Sequence, residues 1–241
     1  MKTTGDLFEN LKNVIKSTFK EEIDVFRAQR AINDMALIEK SLLNDSKYYF
    51  EELTDFVNNE VLENWVDNYY YAKIAKLKSE HLEFVFYSYK VLEGILDWWL
   101  NEAKGIKYIN DKQREVLENN RHLAAWSKNK LFREILVNPL INKDGKSKKG
   151  IKISYHQWDF FNFYKNLRDR FSHGVEIEFT FRENPNNDEK ITEFNNKYSS
   201  YWDEVLENDR LTIKKLYKDV ENYNLAMKQA LIHNLIHNAS K

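Results

Sequence analysis

Residues 82–100 read LEFVFYSYKVLEGILDWWL and are the most apolar window of the chain. Four charged residues interrupt this window: Glu83, Lys90, Glu93 and Asp97. It is therefore too charged to span a bilayer, and it predicts a helix that is buried or half-buried in a protein core. Helical spacing of apolar residues continues through residues 60–104. Because one helix of that length would be unusual, we expect a break near residues 78–80.

The composition of the whole chain also favours helices. Of 241 residues, 42% are hydrophobic and 15% are aromatic, which is enough for a sizeable core. The chain has only 2 Pro and 6 Gly, and so few turn-forming residues argue against a fold built from many short strands. We predict a mainly α-helical protein.

Apolar residues at helical spacing occur on both sides of this central stretch. The segments are residues 6–45 (two helices), 110–137 (one helix) and 191–237 (two helices). Asp45 and Ser46 are expected to cap a helix that follows them. The expected domain organisation is an N-terminal helical extension over residues 1–59 and a helical bundle over residues 60–241.

One segment departs from helical spacing. In residues 175–181 hydrophobic and polar side chains alternate, which is the pattern of a half-buried strand. Ile151 and Ile153 are a candidate partner strand. We therefore predict a short β-hairpin between residues 151–153 and 175–181 as the one addition to the helices.

Charge and cysteine content exclude several classes of function. The formal net charge is -1, so any electrostatic attraction for nucleic acid must come from a local patch. The absence of cysteine excludes disulfides, thiolate catalysis and a cysteine-ligated zinc site. The N-terminus carries no apolar signal segment, so we expect a cytoplasmic protein that does not associate with membranes.

One local patch is strongly basic. Residues 138–150 contain Pro139 and two glycines and predict a loop. Five lysines lie in or just after it: Lys143, Lys146, Lys148, Lys149 and Lys152. A solvated, mobile loop is the simpler interpretation. Its position just before the next helix nevertheless makes Lys146, Lys148 and Lys149 candidate RNA-binding residues.

The densest group of reactive side chains follows that loop. Residues 168–174 read RDRFSHG at the end of an aromatic-rich helical stretch. A guanidinium can hold a phosphodiester through charge-assisted hydrogen bonds, and an imidazole can transfer the proton of a ribose hydroxyl near neutral pH. Arg168 and His173 are therefore candidate catalytic residues. Asp169 could orient either of them, and Arg170 is a candidate RNA contact.

The arginine, polar residue, three variable residues and histidine of residues 168–173 resemble the signature of the HEPN superfamily. Leu167 and Gly174 on either side also resemble many members. HEPN proteins are helical bundles of prokaryotic defence systems, including CRISPR effectors, abortive-infection proteins and toxin–antitoxin pairs. The resemblance implies an endoribonuclease that needs no metal or other cofactor and leaves a 2′,3′-cyclic phosphate and a 5′-hydroxyl. It also implies a homodimer with one composite site and a cognate antitoxin or defence-system protein as partner.

Helix geometry places a condition on this site. Five residues along a regular helix turn the chain about 140° beyond a full revolution. Arg168 and His173 of one copy therefore converge only if the helix ends or kinks before His173, which Gly174 favours. Val175 lies where some HEPN toxins have a tyrosine that a partner nucleotidyltransferase modifies, so the resemblance does not support that form of regulation.

Two other groups of side chains have simpler interpretations. His233 and His237 have the spacing of metal ligands on a helix, but no third ligand is evident, so we expect no metal site. Tyr69, Tyr70 and Tyr71 could stack on bases, although packing in the core is their expected role. The alternative function is a non-catalytic HEPN-derived adaptor, or a nucleotide-sensing or dimerisation module, which the near-neutral charge and aromatic-rich helices would suit.

Overall fold

The computed structural model describes the following residues of the chain: 13, 22–102, 124–140, 158–173 and 188–239. Within these ranges the chain is almost entirely helical and contains no β-strand, which confirms a mainly α-helical fold. The hairpin expected between residues 151–153 and 175–181 lies outside the described residues.

Seven α-helices lie in the described ranges. They are α1 (Glu22–Tyr49), α2 (Asn59–Lys78), α3 (His81–Asn101), α4 (Ala125–Phe132), α5 (Trp158–His173), α6 (Asp188–Leu206) and α7 (Arg210–Ala239). A π-helical turn, Arg133–Val137, continues α4, and two 3₁₀ turns occur at Glu51–Leu53 and Asn138–Leu140. The two helices expected over residues 191–237 are confirmed as α6 and α7.

The expected break near residues 78–80 is also confirmed. α2 ends at Lys78, and Ser79 adopts a left-handed conformation with a φ of 61°. The backbone N–H groups of Ser79 and Glu80 donate to carbonyls in the last turn of α2 at 3.2 and 2.9 Å, so the end of the helix is well capped. α3 begins at His81, and the two helices are consecutive.

The helix start expected at Asp45 and Ser46 is wrong. α1 continues through both residues, and Ser46 Oγ donates to the Leu42 carbonyl at 2.7 Å. A serine that bonds back four residues in this way is compatible with a helix interior, so a capping residue type alone does not mark a helix start. The next helix begins instead after Asn58, whose side chain accepts a hydrogen bond from the Val61 N–H at 3.0 Å.

α3 is the central helix of the fold and contains the apolar window at residues 82–100. It contacts α2, α4, α5 and α7, and eleven of its residues are buried. Each large apolar side chain buried there stabilises the fold by about 1.5–3 kcal/mol. Gly94 lets α2 approach closely, because a Cβ at that position would lie 2.8 Å from Cδ1 of the buried Trp65.

The chain divides into two compact units, Met1–Glu51 and Glu52–Lys241. α1 belongs to the first unit, and α2 to α7 belong to the second. The candidate site described below is built entirely within the second unit. Among the helices that the structure describes, none has the length and apolar character needed to cross a membrane.

Candidate active site

The candidate residues lie in the last turns of α5. Five side chains of this helix are fully or almost fully buried: Phe160, Phe161, Phe163, Tyr164 and Leu167. Their spacing covers one side of the helix, which packs against α3. Arg168 and Asp169 follow directly and are half-buried, so α5 presents them at the edge of its packed face.

The Arg168 side chain packs on the central helix. Its guanidinium carbon lies 4.4 Å from the centroid of the Tyr89 ring, which α3 supplies. Tyr89 is almost completely buried and also meets Tyr164 edge to face at 5.3 Å. A guanidinium over an aromatic face is attracted by the ring quadrupole, so the aromatic core fixes the position of this cation.

Two carboxylates hold the same guanidinium. Nη1 of Arg168 lies 2.9 Å from Asp169 Oδ1, and Nη2 lies 3.5 Å from Glu93 Oε1. Each carboxylate also has a lysine partner: Lys90 lies 3.2 Å from Glu93, and Lys165 pairs with Asp169 one helical turn earlier on α5. Arg168 is thus the centre of a chain of alternating charges that joins α3 to α5.

Burial and neighbouring charges act in opposite directions on these groups. Burial alone lowers the pKa of Arg168, but Tyr89, Asp169 and Glu93 together raise it above its ordinary value, so the guanidinium stays charged. Burial raises the pKa of Tyr89, and the nearby cation only partly offsets this. Within the described part of the chain, Arg168 Nε and the Tyr89 hydroxyl are both buried without a hydrogen-bond partner.

An open cleft of about 470 Å³ lies beside this charge chain. Its lining consists of Glu93, Asp97, Ala124, Ala125, Lys128, Lys165, Arg168 and Asp169. Lys128 of α4 is buried, with 7% of its side chain exposed, and pairs with Asp97 of α3. Because the lining has three cations and three carboxylates, its formal charge is zero, and an anion that enters must compete with groups already paired.

Arg170 and His173 are the two other candidates on α5, and only their backbone is described. α5 continues as a helix through Arg170 to His173, so the helix end expected before His173 does not occur. The positions of Arg168 and His173 are therefore about 140° apart around one helix axis. The side chains of Arg170 and His173, and the loop residues Lys146, Lys148 and Lys149, lie outside the described part of the chain.

A layer of neutral hydrogen bonds lies beneath the charged residues, and we call it the neutral layer. It consists of Ser88, Asn129, Tyr164, Tyr223 and Asn224, all of which are buried. Asn224 of α7 donates to the Ser88 carbonyl at 2.7 Å, and Tyr164 donates to Asn224 Oδ1 at 3.4 Å. Tyr223 donates to Asn129 Oδ1 at 2.7 Å. These bonds join α3, α4, α5 and α7 one turn away from Arg168.

The sequence identified Arg168 and Asp169 as candidate site residues, but it did not reveal their neighbours on α3 and α4. The available signal was the charge inside the apolar window, since Glu93 and Asp97 are four residues apart and share one helix face. Charged residues on an otherwise buried helix need partners. Tyr89 and Lys128 gave no comparable signal, because an aromatic residue in a core and a lysine on a short helix are both ordinary.

The remaining candidates give no metal site among the described residues. The rings of His233 and His237 stack with centroids 6.2 Å apart. No group of three or more His, Cys, Asp or Glu side chains in the described ranges is arranged to hold a metal ion. The chain matches no known protein-family model, no curated protein and no solved structure, so its function has to be inferred from this site alone.

Proposed function

We propose that the chain is a metal-independent endoribonuclease of the HEPN type that acts in a prokaryotic antiphage or toxin system. The observation that supports this proposal is the position of Arg168 and Asp169 on the wall of an open cleft, on the helix that also carries His173. RNA, a second copy of the chain, and an antitoxin or defence-system protein are the partners in this proposal.

In the proposed reaction the ribose 2′-oxygen attacks the adjacent phosphorus, and the bond to the 5′-oxygen of the next nucleotide breaks. The phosphate gains negative charge in the transition state, and the Arg168 guanidinium stabilises it. His173 is the general acid or base: the proton of the 2′-hydroxyl is removed, and a proton is delivered to the leaving 5′-oxygen. The products are a 2′,3′-cyclic phosphate and a 5′-hydroxyl, so this step consumes no water.

A second copy of the chain supplies the second catalytic group, which one helix does not bring to the same phosphate. Because Arg168 and His173 occupy positions about 140° apart on α5, one copy does not bring both groups to a single phosphate. A two-fold axis near the end of α5 would bring Arg168 of one copy opposite His173 of the partner subunit. Each phosphate would then meet one guanidinium and one imidazole from different copies.

The two carboxylates have different roles in this proposal. Glu93 contacts the guanidinium at 3.5 Å, which is long for a charge-assisted hydrogen bond, whereas Asp169 lies at 2.9 Å. A phosphate therefore displaces Glu93 and leaves Asp169 in place to orient the guanidinium. Since Nε is sealed from solvent, the phosphate is bound through the Nη groups.

A specific observation also favours a second candidate function, a non-catalytic adaptor or nucleotide-sensing module. Only 16% of the Arg168 side chain is exposed, and it already has two carboxylates and an aromatic ring as partners. That is the environment of an arginine that stabilises the fold by joining two helices. In this alternative the paired charges hold α5 against α3, and the cleft performs no chemistry.

The deciding experiment is cleavage of labelled single-stranded RNA in the presence of EDTA by wild type, Arg168→Ala and His173→Ala. Arg210→Ala and His237→Ala are matched controls, because both side chains are exposed and lie outside the cleft. We expect wild type and both controls to cleave, and both site variants to lose at least about 100-fold in rate.

The products provide an independent readout. Cleavage by the 2′-hydroxyl requires that a 2′-deoxy sugar on the 5′ side of the scissile phosphate blocks the reaction and that the new 5′ end is a hydroxyl. Undiminished cleavage by both site variants would exclude the assignment, as would a 5′-phosphate product. Absence of cleavage by a folded, dimeric wild type, with a lower melting temperature for Arg168→Ala, would favour the adaptor.

A further inference from the structure

Four aromatic residues form a contiguous surface on α2 and α3, and we call it the aromatic strip. Its members are Tyr70 and Tyr71 of α2 and Phe86 and Tyr87 of α3. Neighbouring ring centroids are 5.5 Å apart for the α2 pair, 5.3 Å apart for Tyr71 and Tyr87, and 5.3 Å apart for the α3 pair. Tyr71 is 43% exposed and the other three are half-buried, so the strip is part of the protein surface.

Side chains along α3 connect the strip with Arg168. Lys90 Nζ lies 5.8 Å from the centroid of Phe86 and 3.2 Å from Glu93, which contacts the guanidinium. Phe86, Lys90, Glu93 and Asp97 follow each other at four-, three- and four-residue spacing, so they form one stripe along α3. With a rise of about 1.5 Å per residue, this stripe runs about 16 Å from the aromatic strip to the far side of the cleft.

We propose that the aromatic strip binds the unpaired bases of single-stranded RNA and leads the strand to the cleft beside Arg168. This inference rests on the proposed ribonuclease function and specifies its substrate class. Every base has a π-face, and stacking on an aromatic side chain stabilises binding without selecting a sequence.

The charges around the strip favour unpaired bases over a duplex. Lys90, which lies 5.8 Å from the Phe86 ring centroid, pairs with Glu93 at 3.2 Å. This cation beside the strip is thus compensated, and it offers little charge to bind the phosphates that a duplex presents. Binding must therefore come from the rings, and only a single strand exposes base faces to them.

The Tyr87 hydroxyl stays neutral at the strip. Burial raises the pKa of Tyr87, and the neighbouring Glu83 and Tyr71 raise it further. A neutral hydroxyl can donate a hydrogen bond to a base edge or a phosphate oxygen. An ionised phenol would repel the strand, and the raised pKa of Tyr87 moves that ionisation further above neutral pH.

The test is equilibrium binding of a short labelled oligonucleotide with 2′-deoxy sugars, measured by fluorescence anisotropy in EDTA. This strand cannot be cleaved by the proposed reaction, so binding is measured separately from catalysis. Tyr71→Ala and Tyr87→Ala remove rings from the strip, and Tyr71→Phe and Tyr87→Phe keep them. Tyr48→Ala removes an exposed ring from α1 and is the control for general surface effects.

We expect each strip-to-alanine variant to weaken binding at least about five-fold, and the phenylalanine variants and Tyr48→Ala to bind within about two-fold of wild type. An abasic strand of equal length and charge should bind wild type at least as weakly as the base-containing strand binds the alanine variants. Equal binding of the two strands by wild type, or equal affinity of alanine and phenylalanine variants, overturns the inference. So does a wild type that binds no single strand.

The outcome is separable from that of the proposed function. If Arg168→Ala abolishes RNA cleavage while Tyr71→Ala and Tyr87→Ala bind the oligonucleotide normally, the ribonuclease assignment stands and the strip does not bind bases. If wild type cleaves no RNA but binding still depends on the rings and the bases, the strip stands as a single-strand site without the enzyme. Circular dichroism and melting temperature establish that each variant is folded.

Discussion

The neutral layer and the charged cleft connect the central helix α3 to its neighbours by different chemistry. In the neutral layer, Asn224 and Tyr164 make uncharged hydrogen bonds and are buried. One turn further along α5, Arg168 joins this helix to α3 through an ion pair with Glu93 that is partly exposed. Uncharged bonds in a dry interior fix a geometry at low electrostatic cost, whereas partly solvated ions can exchange partners. We infer that the neutral layer maintains the fold, and that a ligand entering the charged cleft exchanges with ions that are already paired.

The largest expected effect comes from replacing Arg168, whose planar guanidinium presents several N–H donors to the cleft. Arg168→Lys keeps the positive charge but loses the planar arrangement of N–H groups that can serve Asp169 and a phosphate together. We expect the single-turnover rate of RNA cleavage to fall by about 100-fold. The free energy of unfolding should change by only about 1 kcal/mol, because the lysine keeps a positive charge between Glu93 and Asp169. Arg210→Lys is the matched control, and equal rates for the two variants would contradict the assigned role.

The opposite result is expected in the neutral layer. Asn224→Ala removes the donor to the Ser88 carbonyl and leaves the buried Tyr164 hydroxyl without its acceptor. We expect the free energy of unfolding to fall by about 2 kcal/mol, measured by denaturant titration. Asn222 is a half-buried neighbour on the same helix, and Asn222→Ala should lower the free energy of unfolding by clearly less. If the Asn224 variant is as stable as wild type, the neutral layer does not hold the helices together.

A smaller effect concerns the salt dependence of RNA binding. Lys165 pairs with Asp169 and is about one-third exposed, so it can turn towards a phosphate in the cleft. For Lys165→Met we expect the slope of log affinity against log salt to become shallower by about one. Stability should change by only a few tenths of a kcal/mol, as for other pairs four residues apart on a helix. An unchanged slope would remove Lys165 from the binding surface.

The smallest effect is a dependence of stability on pH at the start of α3. There the Tyr217 hydroxyl lies 2.5 Å from His81 Nδ1, another uncharged contact between α3 and α7. Burial lowers the pKa of His81 below its ordinary value of 6.5, although a hydrogen bond with Asn208 opposes the shift. Because the unfolded chain binds the proton more tightly, this contribution to stability is complete above about pH 6.5 and is lost as the pH falls below it.

His81→Gln is the variant that tests this dependence. The decrease in free energy of unfolding from about pH 7.5 to 5 should be smaller in the variant than in wild type. His237→Gln, at an exposed position near the end of α7, is the control. Its free energy of unfolding should depend on pH as that of wild type does. If both variants show the same slope as wild type, the charge on His81 does not affect the contact between α3 and α7.

Helix spacing predicted the elements of this fold better than local residue type did. The division into α2 and α3, and into α6 and α7, follows from apolar spacing and helix length. Ser46 shows the limit of residue type, because the same side chain can cap a helix start or bond back within a helix. The partners of Arg168 could not be predicted in this way. Glu93 and Tyr89 are distant in sequence, and periodicity does not tell which helix faces which.

The short connection between α2 and α3 has a consequence for how the chain folds. Only Ser79 and Glu80 separate these helices, and Trp65 lies directly over Gly94. Contacts between neighbours in sequence require little loop closure and form early, whereas α7 joins α3 across a long stretch of chain. We therefore expect this helical hairpin to form the folding nucleus, so that Gly94→Ala mainly slows folding and Asn224→Ala mainly accelerates unfolding.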